Sequence, residues 1–461
     1  MKPSREVVEK YRDRILNGSV VTTMLKLGAP LMAVQALYVS YNIADAYWLS
    51  VYSQYDIAIP RQVWPIQMLF LVFTQGIAAA NLALMSQYVG AGNYEKTGET
   101  ASKFLTINVA ASVAAFTVYT ALIPAIYSYL VNVPQLIYEG VVLYAKIMAV
   151  DLVVTCFNMV FTTVLQAMGD TVRPSIIGGV ASIVNIVLDP FMILGIPPFP
   201  AMGVAGAALA TVLSKLAGTL VLAYLLKNYP GVKLKFTKKV DLEWLINNFK
   251  IGLPVMLFTA SNSLAFAMQT RLINVFGEVA AAAYSIGFIV MDVADAALWG
   301  LSSAVSIMVG QNLGAGKVSR AREVAGKSMY TILAATSASS IIIYPIRGLL
   351  IDPFTDDPSI YAEASTFIET FLFSLPFFAS FFIALSVGRG SGHTAVPTTI
   401  GVVRLWILRV GLGYYLALLL GLGSYGIWLA MAVSNYASGV LSIIWVKYGR
   451  WAKPVISVSQ S

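Results

Sequence analysis

The chain is predicted to be an all-α membrane protein: twelve transmembrane helices in two six-helix lobes, related by a parallel pseudo-two-fold axis, with a central cleft. Three observations carry that prediction. Of the 461 residues, 58% are hydrophobic and only 11% are charged, against roughly 25% charged in a soluble domain. The apolar residues gather into twelve runs, each able to supply the ~20 residues that a bilayer core requires. The second six runs repeat motifs found in the first six.

The N-terminal stretch MKPSREVVEKYRDRILNGS is polar and amphipathic. It has no apolar core followed by a small-residue cleavage site, so it is not read as a signal peptide. The apolar runs then fall at about 20–50, 60–89, 103–130, 138–166, 174–196, 203–227, 245–276, 280–312, 325–346, 359–388, 396–421 and 424–447. Several exceed ~25 residues, which implies tilt, kinks or extension past the lipid.

Lys and Arg give the orientation. Of the 30, 23 lie in the N-terminus, the C-terminus and the alternate connections on their side, and two, Arg61 and Arg347, lie in the opposite connections. The remaining five, Lys146, Lys215, Arg271, Arg404 and Arg409, fall inside spans. The positive-inside rule then places both termini in the cytoplasm of a multi-pass plasma-membrane protein. It also accounts for the net charge of +8, so no nucleic-acid partner is expected. The expected partners are membrane lipid and small molecules, and the chain is expected to act as a monomer. One cysteine, Cys156, and one histidine, His393, cannot build a Cys/His metal site, and Cys156 cannot close an internal disulfide.

The two halves are a duplication. KLGAPLM (26–32) matches KIGLPVM (250–256), and SQYVGAG (86–92) matches GQNLGAG (310–316), both at an offset of 224. QAMGDTVRP (166–174) matches RGSGHTAVP (389–397) at 223. Six helices per repeat is even, so both halves enter the membrane from the same side and the repeat is parallel. The expected organisation is an N-lobe over 1–228, a cytoplasmic linker over 229–244 and a C-lobe over 245–461. The GAG triplets supply backbone freedom for tight reversals. Pro174 and Pro397 sit in first helical turns, where a missing N–H costs little.

The ordered set of motifs NIADAYWLS, SQYVGAGNYEKTGETASK, QAMGDTVRP, NIVLDPFMILGI, MGVAGAALATVLS and VGQNLGAGKVSRARE resembles the multidrug and toxic compound extrusion (MATE) family over roughly residues 20–447. The resemblance implies a twelve-helix antiporter that expels organic cations and other amphipathic drugs in exchange for H⁺ or Na⁺. It implies no catalytic residues and no cofactor beyond the coupling ion.

Ionisable residues inside spans are costly and therefore functional candidates. The first half has Asp45, Asp151 and Asp189; the second has Asp292, Asp295 and Glu369. Gln35, Tyr38, Asn42 and Asp45 share one face of helix 1, with Tyr41 beside them. Asn185 and Asp189 share a face of helix 5. At ~1.5 Å per residue, Asp45, Asp189 and Thr211 of helix 6 all lie ~8–12 Å below the outer rim, and Tyr144 shares that layer. Asp45, Asn185, Asp189 and Thr211 are therefore expected to converge. The resemblance implies that these four are the cation-coupling residues, with Na⁺ as the alternative occupant to H⁺. Two carboxylates in a low-dielectric layer cannot both ionise cheaply, so a proton or a Na⁺ is needed there. A competing reading pairs Asp45 or Asp189 with Lys146 or Lys215.

The cargo is expected near Gln35, Tyr38, Tyr41, Asn42 and Tyr144, because aromatic faces attract cations and apolar walls suit varied ligands. Pro30 removes one helical hydrogen bond in helix 1 and is a candidate hinge. At the 224 offset the polar stripe becomes Thr259, Asn262, Phe266 and Gln269, so the second half lacks the acid. Its own acids and bases balance, and internal ion pairs are expected. A lipid-linked oligosaccharide flippase is the alternative function. An intramembrane enzyme is disfavoured, since no Ser/His or Cys/His arrangement exists.

Overall fold

The computed structural model describes residues 5–53, 56–131, 133–227 and 229–456. A short amphipathic helix, α1 (Arg5–Asn17), precedes the long ones. These are α2 (Val20–Tyr52), α3 (Ile59–Gly90), α4 (Tyr94–Leu130), α5 (Gln135–Ala167), α6 (Val172–Leu194) and α7 (Val204–Lys227) in the first half. The second half has α8 (Leu242–Asn274), α9 (Gly277–Gly314), α10 (Val318–Ile351), α11 (Pro358–Leu372), α12 (Leu375–Ser391), α13 (Ala395–Leu419) and α14 (Gly423–Tyr448). Among the described residues, ten helices are long and apolar enough to cross a bilayer, and α11 with α12 makes an eleventh. The remaining predicted run, 280–312, lies in α9, where several side chains, Asp292 among them, fall outside the described residues.

Local chemistry sets the helix ends. Asn93 Oδ1 accepts from the Lys96 N–H (3.0 Å) at the start of α4. Asp241 Oδ1 accepts from Trp244 N–H (2.7 Å) at α8, and Asp357 Oδ1 from Ser359 N–H (2.7 Å) at α11. Each satisfies a donor that the helix itself leaves open. The GAG turns close on Gly92 (φ +76°) and Gly316 (φ +71°), a left-handed backbone that glycine adopts without strain. The apolar run over 359–388 is not one straight helix. It bends by 52° between α11 and α12, beside Pro376, which has no N–H to continue the ladder.

Two compact units make up the chain. One holds the residues up to Arg14 together with Ala29–Gly252; the other holds Ile15–Gly28 and the chain from Leu253. Residues 15–28 thus group with the second half. Of the three changes of unit, the two after Gly28 and Gly252 fall just before a helix-interior proline, Pro30 in α2 and Pro254 in α8. The connection over 229–244 is strapped to α4. Ser102 Oγ donates to the Lys233 carbonyl and accepts from the Lys235 N–H (both 3.3 Å), Thr106 Oγ1 accepts from Thr237 N–H (3.0 Å), and Lys103 pairs with Asp241.

Within the first unit, α5 and α6 both pack along α7. Gly206 allows this closeness: a Cβ there would lie 2.4 Å from the Met192 carbonyl oxygen. Small residues at helix contacts are the usual means of close packing where lipid offers no hydrophobic drive.

Candidate functional site

Asp45 lies seven residues before the end of α2 and Asp189 five before the end of α6. Their carboxyl groups come within hydrogen-bonding reach of each other. Asp189 is fully buried and Asn185, one turn earlier, nearly so. Asn185 Nδ2 donates to Asp189 Oδ1 and to Thr211 Oγ1, both at 3.4 Å. The structure therefore brings Asp45, Asn185, Asp189 and Thr211 together, from α2, α6 and α7. Pro190 follows Asp189 inside α6 and leaves the Ile186 carbonyl without its helical donor.

Three oxygens in this group are buried without another hydrogen-bond partner: Asp45 Oδ1, Asn185 Oδ1 and Asp189 Oδ2. Buried polar atoms are nearly always paired, so three such acceptors in one place leave room for a donor or a cation. The donor set is oxygen only, which suits a proton or a hard cation. Among the described residues no cluster of three His, Cys, Asp or Glu side chains forms a metal site.

A cavity of about 420 Å³ adjoins this group. Tyr38 and Tyr41 of α2 line it, with their rings 5.9 Å apart and edge to face. Asn185 and Ser182 of α6 and Thr211, Ser214 and Lys215 of α7 form the facing wall. A third wall comes from α5: Thr155, Asn158, Met159, Thr162, Thr163 and Gln166 all line it. Those positions are spaced i, i+3, i+4, i+7, i+8 and i+11, one face of a helix. That polar periodicity is the sequence signal for this wall, and attention to charged groups alone passes over it. Asn185 and Thr211 belong both to the cavity wall and to the acid group. The two aspartates stand behind that wall and do not line the cavity.

Other expected residues lie elsewhere. Tyr144 is buried in the apolar core with Leu49, Val63 and Leu152 rather than on the cavity wall. It is still within electrostatic reach of Asp45, Tyr41 and Asp189, and rotation about the axis of α5 is set by packing. Gln35 is half-buried and does not line the cavity. Asn42 is exposed, and its side chain donates to the carbonyl of Tyr38 (2.8 Å). Neither predicted lysine pairing with the acid pair occurs. Lys215 Nζ sits 2.8 Å from Asp151 and 3.1 Å from Thr155 Oγ1, while Lys146 is exposed. Asp151 also accepts from Gln67 Nε2 and Thr155 Oγ1, both at 3.1 Å.

In the second unit, Glu369 pairs with Arg347 and accepts from Ser365 (3.2 Å). Arg404 and Arg409 are buried and donate to Asn435 Oδ1 at 3.1 and 3.0 Å, within electrostatic reach of Asp295.

A bundle of apolar helices around a cavity with polar residues in its wall and buried acids beside it is the build of a polytopic membrane transporter. The MatE family model matches this chain twice, over residues 30–191 and 254–415, and the chain belongs to that family. The two matches are 224 residues apart, the offset of the internal repeat. The chain is 26% identical over 444 residues to a probable multidrug resistance protein NorM of Thermotoga maritima, covering 94% of this chain and 93% of that one. It is 25% identical over 444 residues to an FAD transporter of Shewanella oneidensis, covering 94% and 95%. A crystal structure of a MATE protein in a bent conformation superposes with a TM-score of 0.87 at 21% identity, covering 96% of this chain and 97% of that one. That solved MATE protein and this chain share the twelve-helix, two-lobe fold.

Proposed function

We propose that this chain exports amphipathic organic compounds, organic cations among them, in exchange for H⁺ or Na⁺. In this reading the Asp45–Asp189 pair is the ion site and the adjoining cavity of the first lobe is a cargo site. The observation that carries it is the set of three orphaned oxygens, two on the aspartates and one on Asn185, at the wall that Asn185 and Thr211 give the cavity. Two carboxylates so close together in a low-dielectric interior repel each other strongly. A proton held between them removes that repulsion, and a Na⁺ does the same with the amide and hydroxyl oxygens as further donors.

Coupling runs through shared residues. Asn185 donates to Asp189 and to Thr211, so the charge of the pair decides how firmly that amide is held. The amide is also cavity wall. Ion and cargo thus compete for one hydrogen-bonding group rather than for one carboxylate. A potential of 100 mV supplies ~2.3 kcal/mol per charge moved, enough to drive uphill export. Names of relatives that refer to multidrug resistance support the drug class.

The protein works as a monomer in the plasma membrane, with lipid around it and both termini in the cytoplasm. Alternating access is by rocking of the lobes, and Pro30 is the bending point of α2. A lipid-linked sugar carrier would need several basic groups for a pyrophosphate, whereas Lys215 is the one charged side chain that lines this cavity among the described residues.

The test is ethidium efflux from proteoliposomes under pH and Na⁺ gradients imposed separately. Wild-type protein is expected to respond to one of them. Asp45→Asn and Asp189→Asn are each expected to fall to background at unchanged expression. Wild-type rates from both variants would contradict the proposal.

A further inference from the structure

The geometry points to Lys215 as a specificity-determining residue that selects cargo bearing a carboxylate. This rests on the reading of the first-lobe cavity as a cargo site and goes beyond it, because it assigns a chemical class to one wall.

The aspartates that would attract a cation stand behind Asn185 and Thr211, so the wall that cargo meets is not acidic. The formal charge on it is the Lys215 ammonium. Asp151 balances that ammonium from behind. It is 3% exposed, lies outside the lining, and is held there by Gln67 and Thr155. An ammonium has three donors. Two are directed to Asp151 and Thr155; Thr155 and Lys215 both line the cavity, which leaves the third donor for a ligand. Tyr38, on another wall, is within electrostatic reach of Lys215.

A carboxylate there gains a charge-assisted hydrogen bond in a partly dry site, the strong kind. A compound with no acid forgoes it. Thr211 and Lys215 are one helical turn apart on the same face of α7. A cargo anchored by its carboxylate at Lys215 therefore lies within one turn of the Asn185–Thr211 wall, where the acid pair is sensed. The aromatic body fits between Tyr38 and Tyr41 and the α5 face.

The test uses a rhodamine with a free carboxylate and its ethyl ester, with binding to the purified full-length protein read by fluorescence polarisation. Removing the lysine alone would strand Asp151, so the substitution is Lys215→Met in an Asp151→Asn background, which keeps the pair neutral. The carboxylate-to-ester affinity ratio is expected to drop about ten-fold, the value of one charge-assisted bond. Lys215→Arg is expected to keep the ratio. An unchanged ratio in the double variant, or a wild-type preference for the ester, overturns the inference. Wild-type protein that binds neither dye overturns the cavity reading as well. If Asp189→Asn leaves efflux intact while the ratio still drops, only the coupling proposal fails.

Discussion

Gly206 in α7 and Gly426 in α14 occupy equivalent places in the two halves. A Cβ on Gly206 would lie 2.4 Å from the Met192 carbonyl oxygen, and one on Gly426 would lie 2.8 Å from Ala417 N and Leu416 C. Met192 and Leu416 are 224 residues apart, as the two family matches are. The side chains around these equivalent contacts are quite different. Asp45 corresponds to Gln269, whose Nε2 donates to Tyr284 Oη at 3.2 Å and lies 3.0 Å from Met431 Sδ. Counting from the two glycines, Thr211 corresponds to Met431 and Lys215 to Asn435. In the second half the space is taken by Arg404 and Arg409, both bonded to Asn435, and by Phe378 and Phe381, each with its ring 5.0 Å from the Arg404 guanidinium. Duplication has kept the points where backbones touch, since these fix the helix crossings, and has left the polar interior free to diverge. Asp45 and Asp189 lie together beside a cavity in one half; Arg404 and Arg409, both bonded to Asn435, lie in the other.

The largest predicted difference between the halves is functional. Gln269→Ala is expected to leave most gradient-driven efflux in proteoliposomes, whereas Asp45→Asn abolishes it. Next come the equivalent glycines. Gly206→Ala and Gly426→Ala each press a methyl against rigid backbone, and both are expected to cost about 1–3 kcal/mol, read as a lower melting temperature in detergent. If only one did so, the equivalence would fail.

A finer comparison involves Gly28 and Gly252. A Cβ on Gly252 would lie 2.7 Å from the Gly76 carbonyl oxygen, while one on Gly28 would first meet Leu301 Cδ2 at 2.9 Å. Leucine can shift and a helix carbonyl cannot, so Gly252→Ala is expected to lower the melting temperature more than Gly28→Ala. The smallest effect is expected at Glu369. Its pairing with Arg347 is partly exposed, and Glu369→Gln should change stability by less than about 1 kcal/mol.

Much of this was legible in the sequence. The helices follow the apolar runs, and the repeat offset read from KLGAPLM and KIGLPVM recurs in the family matches. Asp45, Asn185, Asp189 and Thr211 were brought to one place by depth and shared helix faces. Pro174 and Pro397 are 223 apart and Met192 and Leu416 are 224 apart, so the second half holds one residue more along α13. In the structure, α13 contains π-helical turns over Arg404–Gly411 and Tyr415–Leu419. A π-turn accommodates one extra residue within a helix, and hydropathy does not reveal one. Helix rotation was equally hidden, which is why Tyr144 was expected at the cavity and lies in the core. The Asp151–Lys215 pairing joins α5 to α7 across 64 positions, and no periodicity within a single helix marks such a contact.

The central claim is that ion coupling resides in the first half alone. Its most direct test is efflux from proteoliposomes under the gradient that drives the wild type, comparing Asp45→Asn/Asp189→Asn with Gln269→Ala/Arg409→Gln. The account predicts background rates from the first variant and gradient-dependent efflux from the second. Gradient-dependent efflux from the first variant, with none from a correctly folded second variant, would contradict it.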